Sequence, residues 1–166
     1  MKNIILKNGL IGGLIIATSM VIGTYMCYHN PKGFEPSYTL GFGGMLLAFV
    51  FIYVGIEQYR NKINNGKISF VKAMQVGCLI ALLISAIYVG VWLIEYYNFF
   101  PDFIEKYAQS VLAQTKPSDL AEATTKMDSY KEMYKNPLLI ILLTLMEILP
   151  MGLAIALISA LILKKK

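Results

Sequence analysis

Glu147 is the residue in this chain best placed to do chemistry. It stands inside the run Leu-Leu-Ile-Ile-Leu-Leu-Thr-Leu-Met-Glu-Ile-Leu-Pro-Met-Gly-Leu-Ala-Ile-Ala-Leu at 138–157, which holds no other ionisable group. A helix rises about 1.5 Å per residue, so residues 137–163 reach about 40 Å, enough to cross a bilayer core of about 30 Å. Glu147 then lies about 15 Å in, near the midplane. A carboxylate at that depth costs about 2.5 kcal/mol or more. No Lys or Arg reaches it, so a neutral acid with hydrogen-bonding partners is the expected state. Candidate partners at similar depth are Thr18, Ser19, Ser85 and Tyr88. Pro150, three residues on, has no N–H and frees the Met146 carbonyl. An ionisable side chain inside a span is by default a functional candidate, and the chemistry open to it is carrying a proton or an ion.

The remaining ionisable groups near the spans read as interfacial. Glu57 and Arg60 are spaced i, i+3 and predict an ion pair at a helix end. Glu95 lies beside Trp92, Tyr96, Tyr97, Phe99 and Phe100, which form an aromatic belt, and is expected to be a hydrated carboxylate. Glu57, Glu95 and Glu147 fall at three different levels. The sequence offers no phosphate loop, nucleophile elbow or His/Cys cluster, so no catalytic residue and no enzyme activity is expected. No cofactor is expected either. His29 stands alone beside a turn, which argues against a metal site. Cys27 and Cys78 fall at opposite ends of long helices, too far apart for a disulfide.

Four apolar runs must position these residues, at about 4–28, 38–59, 70–97 and 137–163, and each is long enough to span. The fold class is therefore all-α, a single domain of four transmembrane helices over 1–166. The first run has a basic start at Lys2 and Lys7, but its apolar core is too long for a signal peptide and no Ala-x-Ala site follows. It is expected to stay as a membrane helix.

Orientation follows from the basic residues. Lys2, Lys7, Arg60, Lys62, Lys67, Lys72, Lys164, Lys165 and Lys166 fall on one side of a four-span chain, with no acid in those segments. Basic and acidic residues mix on the other side. The basic side is expected to be cytoplasmic, with both termini there. The net charge of +5 is thus topological, and no nucleic-acid partner is expected.

Residues 98–136 form a long extracytoplasmic segment. Pro101 and Asp102 can start one amphipathic helix, Pro117 breaks it, and Ser118 can cap a second. The pair is expected to lie on the membrane or fold back over the bundle, and it offers a docking surface as the sharper alternative.

Helix packing is marked by small residues. Ala73, Gly77, Ala81 and Ser85 recur every four positions in the third span, and Gly152, Ala156 and Ala160 do so in the fourth. Such stripes let two backbones approach, so the third and fourth spans are expected to touch there. Gly13 and Ala17 are spaced for close contact in the first.

Several phrases resemble a known family. They are Gly-Ile-Glu-Gln-Tyr-Arg-Asn-Lys at 55–62, Gly-Lys-Ile-Ser-Phe-Val-Lys-Ala at 66–73, Tyr-Val-Gly-Val-Trp-Leu-Ile-Glu-Tyr at 88–96, Pro-Asp-Phe at 101–103, and Leu-Pro-Met-Gly-Leu-Ala-Ile-Ala-Leu-Ile-Ser-Ala-Leu-Ile at 149–162. They are similar to a family of small bacterial four-span integral membrane proteins of unknown function. The resemblance implies the bacterial inner membrane and supports four spans. It supplies no activity and no site residues.

Two functions compete. The first is a non-enzymatic accessory or assembly subunit, whose partners are the lipid bilayer and another membrane protein or a second copy. The second is a small proton- or ion-coupled transporter or channel component using Glu147.

Overall fold

The computed structural model describes residues 1–30, 34–35 and 38–165, with the side chain of Tyr38 set aside. Lys166, one of the basic residues expected on the cytoplasmic side, lies outside the described residues. Six α-helices follow in chain order: α1 (Lys2–Tyr28), α2 (Tyr38–Lys62), α3 (Phe70–Asn98), α4 (Phe103–Gln114), α5 (Leu120–Met133) and α6 (Pro137–Leu163). A 3-10 turn at Pro117–Asp119 joins α4 to α5. α1, α2, α3 and α6 are long and apolar enough to cross a membrane.

Local chemistry sets the helix ends. Ser69 caps α3 by accepting a hydrogen bond from the Lys72 N–H at 3.3 Å. Asn136 caps α6 by accepting from the Leu138 N–H at 2.9 Å, and Pro137 occupies the first helical position, where its missing N–H costs nothing. Asn65 and Gly66 both take positive φ in the α2–α3 turn. One expectation is corrected. Asp119, not Ser118, stands at the cap of α5, and the Ser118 hydroxyl instead donates to the Asp119 carboxylate. α6 runs as helix through Pro150, over the span expected for 137–163.

The four long helices pack up and down. Asn8 near the start of α1 donates to Gln58 near the end of α2. Thr24 near the end of α1 reaches Glu95 near the end of α3. The C-terminus is tied back to the α2–α3 loop, where Ile68 and Lys165 exchange two backbone hydrogen bonds of 2.9 Å. Both termini and this loop therefore gather at one end of the bundle.

The core holds Ile16 of α1, Phe49, Ile52 and Ile56 of α2, Val76, Ile80 and Ile84 of α3, and Ile148 of α6. At the seam of α3 and α6 the backbones approach closely. A Cβ built on Gly77 would sit 2.9 Å from the Ala156 Cβ, and one on Gly152 would sit 3.1 Å from the Ala81 Cβ. Ala73, Ala81, Ser85, Ala156 and Ala160 are buried along the same seam. In α1, Gly9, Gly12 and Gly13 receive Leu83, Ile84 and Ile87 of α3. Ala17 is half-buried. Leu14, Leu47, Met146 and Ile162 point outward. Lipid tails would cover such large apolar side chains.

The expected aromatic belt divides. Tyr97 and Phe99 are exposed, but Trp92 and Tyr96 are buried in a second cluster with Ile140, packed on by Phe103 and Tyr134. The Phe103 ring meets the Trp92 ring edge-on at 4.7 Å. α4 thus folds back over the end of the bundle, burying Ile104 and Ala108, and α5 buries Met127. A side-chain latch holds α4 down: the Tyr28 hydroxyl donates to Asp102 at 2.8 Å, and Lys106 reaches Asp102 at 2.8 Å.

Candidate functional site

Folding α4 and α5 over the bundle leaves a half-open cavity of about 440 Å³ beneath them. Its deep wall is α6, which contributes Leu143, Thr144 and Glu147. α3 contributes Tyr88 and Trp92. α1 adds Ile16, Ser19, Met20, Gly23, Thr24 and Cys27, and α2 adds Gly41, Phe42 and Met45. Phe103, Ile104 and Tyr107 of α4, with Tyr130 of α5 and the following Tyr134, form the roof.

Glu147 stands in this cavity because α6 rotates its Thr144 and Glu147 edge inward, one helical turn apart. Glu147 as a residue is exposed although it lies within a span. Among the described residues it forms no hydrogen bond or ion pair. The seam constrains its depth. Gly77 meets Ala156 and Gly152 meets Ala81, so continuing this antiparallel register brings Glu147 opposite Ala86, within one helical turn of Tyr88.

The expected partners separate on this geometry. Ser19 and Tyr88 line the cavity with Glu147. Thr18 does not: it is exposed, and its hydroxyl donates to the Leu14 carbonyl at 2.8 Å on its own helix. Ser85 is also away from the cavity, wholly buried in the α3–α6 seam, with an oxygen that meets no partner among the described residues. Pro150 is exposed on the outer side of α6. Helix rotation is the reason in each case, since depth alone does not fix which way a side chain points.

Several cavity residues carried only partial signals. Thr144 is three before Glu147 and so shares its face. Tyr130 and Tyr134 lie on the apolar stripe of the second outer helix. Thr24 had no sequence signal, because its place depends on how α1 packs.

Glu95 corrects the expectation of a hydrated interfacial carboxylate. It is 5% exposed, and the buried Thr24 hydroxyl donates to it at 3.3 Å. The packing of α1 against α3 takes both residues off the surface. Glu57 and Arg60 do pair, at 3.8 Å, at the opposite end of the bundle. Arg60 also donates to the Leu163 carbonyl at 3.5 Å, meeting one of the open carbonyls at the end of α6.

Two groups outside the spans are tuned by their surroundings. The Lys106 ammonium and the Tyr28 hydroxyl hold the Asp102 carboxyl below the usual carboxylate range. Burial pushes the Tyr134 phenol up to about 12, so it stays a neutral hydroxyl in the roof.

Chemically the cavity offers one carboxyl, three aliphatic hydroxyls and an array of rings. The Ser19 and Thr144 hydroxyls donate to the Ile15 and Ile140 carbonyls, which leaves their lone pairs facing the cavity as acceptors. This set suits binding by charge, hydrogen bonds and ring faces. His29 is elsewhere, with its Nδ1 against the Tyr25 carbonyl at 2.9 Å. Both cysteines are free thiols.

Fold and site together define a multi-pass helical membrane protein with a carboxyl-bearing cavity inside its bundle. The chain belongs to DUF4199, a family of proteins of unknown function, whose model matches residues 7–165. No curated protein and no solved structure matches it.

Proposed function

We propose that this protein is a non-enzymatic component of a proton- or ion-coupled transport process in the bacterial cytoplasmic membrane, with Glu147 as the carrier group. The observation that carries this reading is Glu147 in a cavity whose lining, among the described residues, has no Lys, Arg or His. Such a carboxyl is expensive to keep in a membrane unless its charge is used. The small-residue stripes meet each other inside the chain and so do not by themselves call for a partner. The basic residues at the end holding both termini support a cytoplasmic position for that end.

The test is proton flux. The full chain in liposomes with an entrapped pH-sensitive dye should pass protons when a gradient is imposed, and Glu147→Gln should abolish the flux. A fully active Gln variant would make Glu147 a structural residue.

The second reading, an accessory or assembly subunit, is favoured by one feature. α5 presents an exposed polar face with Glu122, Lys126, Asp128 and Glu132 above the bundle. A stoichiometric partner retained through purification in mild detergent would support it.

A further inference from the structure

We infer that the cavity takes a lipophilic organic monocation: an alkylated ammonium group carrying one aromatic or branched apolar substituent. This rests on the transport reading above and names its cargo.

Charge decides the sign. Among the described residues Glu147 is the only acid in the lining and no basic residue lines it, so a bound cation would meet the one group there able to carry the opposite charge. Lys106, the nearest basic residue on the roof helix, is committed to Asp102 at 2.8 Å and lies over the Tyr28 ring at 4.2 Å. A ligand of charge +1 completes the site. An anion would face an uncompensated carboxyl.

The other lining groups decide the type of cation. A small hard cation such as Mg²⁺ or Ca²⁺ takes at least six oxygen ligands. Here one carboxyl and a few hydroxyls are available, and most of the remaining wall is apolar or aromatic. Tyr88, Trp92, Tyr107, Tyr130 and Tyr134 come from three different elements to the same space. Ring faces attract a weakly hydrated organic cation by about 0.5–2 kcal/mol each, most strongly when water is excluded. The volume of about 440 Å³ lies within the range of sites for small organic ligands and far exceeds what a bare ion fills.

The chain carries its own reporter, since its single tryptophan, Trp92, is in the cavity wall. The full chain in lipid nanodiscs is titrated with benzyltrimethylammonium while Trp92 emission is followed. We expect a saturable change, weakened at least tenfold in Glu147→Gln. Neopentylbenzene, the uncharged carbon isostere, should give no saturable change. Gly23 lines the cavity, and a Cβ there meets nothing within 4 Å, so Gly23→Phe should fill the space and abolish binding with helicity unchanged.

Equal saturation by neopentylbenzene would mark a pocket for lipid tails and overturn the inference. So would cation binding indifferent to Glu147→Gln. Glu147-dependent proton flux without ammonium binding would overturn the inference and leave the transport reading standing. Glu147-dependent ammonium binding without flux would keep the ligand class and remove transport.

Discussion

Thr24 on α1 donates its hydroxyl hydrogen to Glu95 on α3 at 3.3 Å, with the two side chains 8% and 5% exposed. The two residues are 71 apart in sequence and join α1 to α3 at the covered end of the bundle. A buried carboxyl that loses its donor is left with an unmet polar group. Thr24→Val should therefore lower stability by about 1–3 kcal/mol. Thermal unfolding in detergent measures this. A Val variant that melts with the wild type would show that Glu95 finds its partner elsewhere.

The α3–α6 seam predicts a sharper loss. Gly77→Leu must push at least four carbons into a space where the first already sits 2.9 Å from Ala156 and 3.0 Å from Ile56. Overpacking of this kind costs about 1–3 kcal/mol or more. Gly90→Leu on the same helix is the control, because nothing lies within 4 Å of a Cβ there. Equal melting temperatures for the two variants would mean that the seam yields.

The Asp102 latch makes α4 docking sensitive to acid. The folded carboxyl is held below its ordinary value of 3.8 by Lys106 and Tyr28. A depressed value means the stabilisation is fully present above 3.8 and is lost as pH falls through the depressed value. Trp92 emission should shift to the red on acidification into that range, as Phe103 leaves its ring. In Asp102→Asn the shift should already be partly present at neutral pH. An Asn variant with wild-type emission throughout would mean that the apolar contacts of Ile104 and Ala108 hold α4 alone.

Orientation can be read by labelling. With Cys27 and Cys78 replaced by Ser, a cysteine at Ser118 should react with an impermeant maleimide added outside cells. One at Asn65 should react only after lysis. The reverse pattern would place the basic end outside.

The sequence alone determined the number of spans, because length and hydropathy are summed along the chain and need no knowledge of neighbours. The spacing of Ala73, Gly77 and Ala81, and of Gly152, Ala156 and Ala160, marked the faces that meet, since a fixed helical period keeps such residues in line. Tertiary structure decided the rest. An almost uniformly apolar helix has no polar stripe to show which side faces inward, so the sequence could place Thr18, Ser19 and Ser85 at the depth of Glu147 but could not tell that only Ser19 shares its cavity. Glu95 looked interfacial because nothing in its own segment shows that α1 brings Thr24 against it, and the docking of α4, through Phe103 on Trp92 and Tyr28 on Asp102, is equally invisible there. The cavity arises from the same docking, as a space between six helices that no one segment encodes.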